Sequence, residues 1–243
     1  LTKLQIGDAL TCDPSRPTTL KKRYLVENQK LFRVSRLEEN NLAADIEAQV
    51  IAQLEQLAPI GQGIVVSDFV YGVVTPRILE VVQTLARQHD LMLFGDLQCS
   101  SQVGSVTRFQ HFSLLCPNER EARLALQDKD IGLEQLSQRL LQATQTQRLV
   151  MKLSSEGFIA YDRDAQGRIS SQPFPALSVN PLDVAGAGDS LLAVMASGLA
   201  SGQAMMPTAA LACCMASLAV RKMGNTPISA DDLRNCLEEV LPP

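Results

Sequence analysis

The sequence contains no tryptophan and only two histidines among its 243 residues. His89 and His111 are each isolated, so neither a histidine-ligated zinc site nor a histidine-based catalytic triad is indicated. None of the cysteines forms a C-x-x-C pair, which indicates free thiols in a reducing compartment and favours a cytoplasmic location. These cysteines are Cys12, Cys99, Cys116, Cys213, Cys214 and Cys236.

A concentration of positive charge is also missing. The 22 lysines and arginines are scattered and the net charge is −4, so a nucleic-acid-binding surface is not indicated. The longest apolar run, residues 209–220, is too short and too rich in alanine, serine and cysteine to span a bilayer. No secretory signal opens the sequence. We therefore expect neither a nucleic acid nor a membrane as a partner.

From residue 42 onwards, short apolar segments alternate with segments whose apolar residues have helical spacing. Strands that are continuously apolar and alternate with amphipathic helices predict an α/β fold with a parallel sheet covered on both faces. Two further segments read as β-hairpins, at 20–39 and 157–174. The predicted apolar strands lie at 63–69, 91–96, 112–116 and 148–154.

The segment "NPLDVAGAGDS", residues 180–190, places Gly-Ala-Gly directly before an aspartate and an apolar helical pattern over about 187–200. The first turn of a helix has unpaired N–H groups and the positive end of the helix dipole. Gly186, Ala187 and Gly188 leave those N–H groups sterically open. The pattern therefore predicts an anion site, such as one for a phosphate.

Asp189 has two interpretations. An acidic residue in a first helical turn favours the helix dipole, which needs no function. Alternatively, Asp189 is a general base beside an anion site, the combination that phosphoryl transfer to an alcohol requires. The sequence has neither the P-loop pattern nor the protein-kinase motifs, so those two classes of phosphotransferase are excluded.

"DVAGAGDS" resembles the D-x-x-G-A-G-D signature of the ribokinase-like, or PfkB, carbohydrate kinases. Three other segments are similar to family elements in the same order: "PNEREA", "VMKLSSEGFIAY" and "AVRKMGNTPISADDL". The resemblance extends from about Thr18 to the C-terminus. It implies a mostly parallel sheet flanked by helices, a small β-hairpin lid at 18–37, and ATP and Mg²⁺ as cofactors.

The resemblance also implies roles for individual residues. Asp189 would be the catalytic base, and the amides of Gly186, Ala187 and Gly188 would hold the transferring phosphoryl group. Asn118 and Glu121 would help to place Mg²⁺ through water, although Asn followed three residues later by Glu is also a capping box. The adenine would lie between the "SSEG" turn and residues 212–225. The nucleotide-binding residues implied there are Ser154, Gly157, Gly224 and Asn225.

Within the family, "TTLKKRYLVENQKLFRVS" and "VVSDFVYG" resemble the heptose 7-phosphate kinase branch. This likeness implies that Lys21, Arg23 and Asp68 contact a sugar phosphate. The sequence departs from the branch pattern at Tyr71, which replaces a lysine, and at Ser35, which replaces an aspartate. "GDLQCS" stands in place of a D-P-K-G-like segment and retains its aspartate as Asp96. Val184 stands where the glycine signature commonly has threonine.

A larger departure is that the opening strand and the Gly-Gly-x-x-N segment of the family have no counterpart in the sequence. We expect residues 1–243 to form one ribokinase-like domain that lacks the N-terminal segment. The leading hypothesis is an ATP-dependent kinase for a sugar or sugar phosphate, with a homodimer expected from the family's hairpin. The alternative is a non-catalytic kinase-like module with a binding or assembly role. An NAD-binding domain is disfavoured, because no G-x-G-x-x-G follows a first strand.

Overall fold

A computed structural model of the chain describes residues 7, 9–26, 29–99, 104–178, 181–224 and 226–240. The strands within these residues are β1 (Leu20–Val26), β2 (Gln29–Arg36), β3 (Gly63–Asp68), β4 (Met92–Leu97), β5 (Leu114–Leu115), β6 (Arg148–Lys152), β7 (Phe158–Arg163) and β8 (Ile169–Phe174). The helices are α1 (Ala44–Leu57), α2 (Pro76–His89), α3 (Glu119–Leu126), α4 (Leu133–Thr144), α5 (Ala187–Ala200), α6 (Met205–Val220) and α7 (Ala230–Val240).

The main sheet has six strands in the order β3-β4-β5-β6-β7-β8. The three pairings from β3 to β6 are parallel, whereas β7 and β8 are added antiparallel. The predicted α/β class with a mostly parallel sheet is therefore confirmed. Because β3 to β6 run in the same direction, their carboxyl ends meet at one edge of the sheet.

Alternate residues of the strands face two separate cores. Leu93, Leu115 and Leu149 pack with α2 and α4 on one face. Their neighbours Phe94, Leu114 and Val150 pack with α5 and α6 on the other face. Burial on both faces explains why these strands are apolar throughout rather than alternating with polar residues.

The apolar run at residues 209–220 lies within α6, and Cys213 and Cys214 in this run are 7% and 4% exposed. All six cysteines have free thiols. Among the described residues, no helix combines the length and the apolarity that crossing a bilayer requires.

The first hairpin forms a separate two-stranded antiparallel sheet, β1-β2. The turn was predicted at Glu27-Asn28-Gln29; Glu27 and Asn28 lie outside the described residues, and Gln29 begins β2. On one face the rings of Tyr24 and Phe32 stack with their centroids 4.5 Å apart. Both side chains are exposed, by 37% and 56%. The hairpin thus presents an apolar face that the described residues do not cover.

Candidate active site

The N-terminus of α5 lies at the carboxyl edge of the parallel strands. Gly186 precedes the helix with φ 84°, a left-handed conformation that favours glycine. The amides of Gly188 and Asp189 donate to no partner among the described residues, whereas that of Ala187 reaches the Val184 carbonyl at 3.4 Å. The helix therefore begins with open N–H groups, which is the arrangement that an anion site requires.

Gly188 lies against an ammonium group. A Cβ atom at this position would be 3.4 Å from Lys152 Nζ and 4.0 Å from Asp96 Oδ2. Lys152 is the last residue of β6, and its Nζ donates to Asp96 Oδ1 at 2.7 Å. Asp96 is 1% exposed. Burial disfavours the charge of Lys152, but the attraction to Asp96 and the hydrogen bond with it, together with Cys116 and Glu121, outweigh burial and raise the pKa of the ammonium.

Asp189 lies half-buried beside this ion pair. Gln98 follows β4 directly, and its Nε2 donates to Asp189 Oδ1 at 3.1 Å. Burial raises the pKa of Asp189, and the nearby Asp96 carboxylate raises it further. Lys152 and Lys21 act in the opposite direction and lower this pKa. The carboxylate is thus oriented by an amide and faces positive charge from β6 and from the hairpin.

Asn118 and Glu121 form a complete capping box at the start of α3. Asn118 Oδ1 accepts the Glu121 amide, and Glu121 Oε2 accepts the Asn118 amide, both at 2.8 Å. Glu121 Oε1 accepts a third bond, from the Cys99 amide at 3.2 Å. Glu121 is 4% exposed, and burial raises its pKa. The capping interpretation is therefore observed, and the metal-binding role of these two residues stays a prediction.

The predicted nucleotide-binding residues occupy glycine-dependent turns. Gly157 has φ 95°, and a Cβ there would lie 2.1 Å from the Phe174 carbonyl oxygen. Gly224 has φ 73°, and its amide donates to Asp183 Oδ2 at 3.2 Å. Asp183 also accepts the Ala185 amide at 2.9 Å, so it joins the segment around Gly224 to the turn before α5.

Ser154 opens the short 3-10 turn Ser154–Glu156 that precedes β7. Helix α6, which contains residues 212–220 of the predicted adenine pocket, packs against β7 and β8, and β7 follows the "SSEG" turn directly. Asn225 lies outside the described residues.

The residues predicted to contact the acceptor are only partly brought together. Lys21 and Asp68 line one cleft of about 780 Å³ with Tyr71, whereas Arg23 and Asp189 are not among its lining residues. Lys21 Nζ lies 4.5 Å from the Phe69 ring centroid and 5.1 Å from that of Tyr71. Two aromatic faces therefore hold the ammonium in place.

Asp68 is 2% exposed, and both of its carboxylate oxygens are bonded within the protein. Oδ1 accepts the Val70 amide at 2.8 Å, and Oδ2 accepts Arg108 Nη1 at 3.1 Å. Arg23 lies two residues beyond Lys21 on the same face of β1, directly opposite Arg33 of β2. Asp68 thus joins the Val70 amide to Arg108 through its carboxylate, whereas Arg23 lies on the exposed hairpin.

Sequence reasoning missed Lys152 and Gln98 as members of the site. A single lysine near the end of the apolar segment "RLVMKLS", together with an aspartate at the end of "LMLFGD", was the signal for the ion pair. The sequence contains no comparable signal for the bond between Gln98 and Asp189.

This fold and this edge of the sheet define the ribokinase-like class. Phosphofructokinase-2 from Escherichia coli, in complex with substrates and products, superposes with a TM-score of 0.71 at 15% identity, covering 90% of this chain and 69% of that one. Ribokinase from Arabidopsis thaliana, complexed with ribose and ATP, gives a TM-score of 0.63 at 17% identity, covering 86% and 65%.

The chain belongs to the pfkB family of carbohydrate kinases, whose model matches residues 11–232. It is 32% identical over 225 residues to the bifunctional protein HldE of Geobacter sulfurreducens, covering 91% of this chain and 44% of that protein. HldE of Helicobacter pylori is 27% identical over 233 residues, covering 95% and 48%. The family resemblance is thus confirmed, and the chain spans less than half the length of these curated relatives.

Proposed function

We propose that the protein transfers the γ-phosphoryl group of ATP to a hydroxyl group of a sugar or sugar phosphate. The observation that carries this proposal is the position of Asp189. Its carboxylate lies in the first turn of α5, beside open amides and an ammonium, at the sheet edge where ligands of α/β proteins bind.

In the proposed reaction the acceptor hydroxyl oxygen attacks the γ-phosphorus. A new P–O bond forms, the bond from phosphorus to the β,γ-bridging oxygen breaks, and ADP leaves. Asp189 accepts the hydroxyl proton, and Gln98 fixes the orientation of its carboxylate. The amides at the start of α5 balance the charge on the transferred group.

Mg²⁺ fits the charges at this edge. The carboxylates of Asp96, Glu121 and Asp189 outnumber the nearby ammonium groups of Lys152 and Lys21, so a polyphosphate needs additional positive charge to approach. No cluster of three possible metal ligands is present in the described ranges. Mg²⁺ keeps several waters and takes phosphate oxygens as ligands, so Asn118 and Glu121 would hold it only through water. When bound, the ion neutralises phosphate charge.

We propose a heptose 7-phosphate-like acceptor. The hairpin resembles that of heptose 7-phosphate kinases, and it places Lys21 over the aromatic rings at the edge of the 780 Å³ cleft. Lys21 is also close enough to Asp189 to lower its pKa. An anionic acceptor held by Lys21, with Arg23 two residues along the same face, would therefore be close to the base.

A non-catalytic module is the second candidate. The observations that favour it are the internal bonding of both Asp68 oxygens and the burial of Tyr71, which is 7% exposed, where the heptose-kinase pattern has a lysine. These features remove two groups that would otherwise recognise the acceptor.

We also propose a cytoplasmic homodimer. Six free thiols are typical of a reducing compartment. The exposed Tyr24 and Phe32 rings, with Leu20 and Val34 on the same face of the hairpin, form the apolar surface that a second copy would cover.

The substitution Asp189→Asn tests the kinase proposal. We expect the rate of ADP release with a panel of hexoses, heptoses and their phosphates to fall about 10²–10⁴-fold, because a positioned base is lost. ATP affinity should change little, since the carboxylate acts on the acceptor. Asp130→Asn, an exposed site beyond α3, is the matched control and should retain wild-type turnover. A wild-type protein that is folded but inactive on every acceptor and binds no nucleotide would favour the non-catalytic module.

A further inference from the structure

Lys152 lies where three elements meet. It ends β6, its ammonium bonds to Asp96 near the end of β4, and it faces Gly188 in the first turn of α5. The Lys152 side chain is 19% exposed, whereas the Asp96 side chain is fully buried.

The ion pair leaves unused hydrogen-bonding capacity on both partners. An ammonium has three N–H donors, and Asp96 Oδ1 accepts only one of them. Asp96 Oδ2 is buried and has no hydrogen-bond partner among the described residues. A buried ion pair with a purely structural role is normally saturated by further bonds, because desolvation otherwise exceeds the gain from pairing. The unused N–H donors of the Lys152 ammonium are therefore available to an anionic ligand, whereas Asp96 Oδ2 can only accept hydrogen bonds and is not.

We propose that Lys152 is a catalytic residue whose ammonium donates to an oxygen of the transferred phosphoryl group, and that Asp96 is the positioning residue that holds it. This inference rests on the proposed kinase function. A Cβ atom at Gly188 would lie 3.4 Å from Lys152 Nζ. Because glycine has no Cβ, a phosphoryl group can contact the α5 amides and the Lys152 ammonium together.

Lys152 balances charge without exchanging a proton in the reaction. Negative charge on the equatorial oxygens of the transferred group is stabilised by fixed donors in a water-poor site. The proton of the acceptor still goes to Asp189. Directly after β4, Gln98 stands where the D-P-K-G pattern has its lysine, and Lys152 at the end of β6 places an ammonium at this edge.

The substitution Lys152→Met alone would leave the Asp96 carboxylate buried without a counter-ion and could prevent folding. The informative variant is therefore the double substitution Lys152→Met with Asp96→Asn, which removes both charges. A second double variant, Lys152→Arg with Asp96→Asn, retains a cation. The control is Lys129→Met, at an exposed lysine after the end of α3.

Two measurements separate a phosphoryl contact from a structural pair. Calorimetry with Mg²⁺ compares binding of AMP-PNP, which has a γ-phosphoryl group, with binding of ADP, which has none. For the methionine double variant we expect a wild-type circular dichroism spectrum, ADP affinity within about threefold of wild type, and a loss of roughly tenfold or more in the preference for AMP-PNP. Turnover should fall by about 10²-fold, the usual cost of one oxyanion donor. The arginine variant should recover part of both losses.

A folded methionine double variant that keeps wild-type turnover and AMP-PNP preference would overturn this inference and leave the kinase proposal intact. A wild-type protein that binds neither nucleotide would overturn the kinase proposal and this inference together. Equal losses in the methionine and arginine variants would also overturn it, because the charge at residue 152 would then not matter.

Discussion

Replacing Gly157 with alanine should destabilise the protein strongly, and the structure supplies a matched control. At φ 95° and ψ −128° an L-residue is strained by about 1–3 kcal/mol. The added Cβ would also lie 2.1 Å from the Phe174 carbonyl oxygen, so the turn or β8 must move. Overpacking of this kind costs about 1–3 kcal/mol. The two contributions sum to about 4 kcal/mol, which for a chain of this size lowers the melting temperature by roughly 8–16 °C.

Gly167 is the control because it also has a positive φ, 81°, but no atom within 4 Å of its ideal Cβ. Gly167→Ala should cost only the conformational strain, about 1–2 kcal/mol, or roughly 2–8 °C. Thermal unfolding of both variants beside the wild type, followed by circular dichroism, measures the difference. Similar losses in the two variants would refute the reasoning, because the contact with Phe174 would then contribute nothing.

Two further predictions concern the pH dependence of stability and the assembly of the protein. Because burial raises the pKa of Asp189 in the folded protein, its ionisation opposes folding at pH 7. Asp189→Asn should therefore have a higher free energy of unfolding in urea than the wild type at pH 7. This gain should disappear as the pH falls first through the pKa of Asp189 in the folded protein and then through its ordinary pKa. A gain that persists at low pH would contradict this cause. Phe32 is 56% exposed on the apolar face of the hairpin, and Phe32→Ser should shift the protein from dimer to monomer in sedimentation. Ile60, which is 82% exposed and lies outside the hairpin, is the control, and Ile60→Ser should leave the dimer unchanged. A wild-type monomer would refute the assembly proposal.

Several features could be predicted from the sequence because they depend on local patterns. The bounds predicted for α5, 187–200, agree with the structure, since the glycines and the apolar spacing act within that segment. The capping residue Asn118 was identified from its spacing to Glu121 alone, and its side chain accepts the expected amide. Strand β5 was predicted over five residues but pairs over only two, because its length is set by its neighbours rather than by its own apolarity.

Only some residues of the candidate site could be identified from the sequence. Asp189, Gly186 and Gly188 belong to one motif and could be found together. Gln98 lies 91 residues before Asp189, and nothing in the sequence marks their contact; Asp96 lies 56 residues before Lys152, and the two are marked only as charged residues near the ends of apolar segments.

By itself, the sequence determined the α/β class, the individual elements and the glycine turn before α5, since period, capping and glycine conformation act over a few residues. The tertiary structure alone decided that β5 lies between β4 and β6 and ends at Leu115. Beyond that end Asp96 and Lys152 meet, beside the buried thiol of Cys116. Strand order and register depend on how both faces of the sheet pack against the helices. The charged residues around Asp189 could therefore be identified only from the tertiary structure.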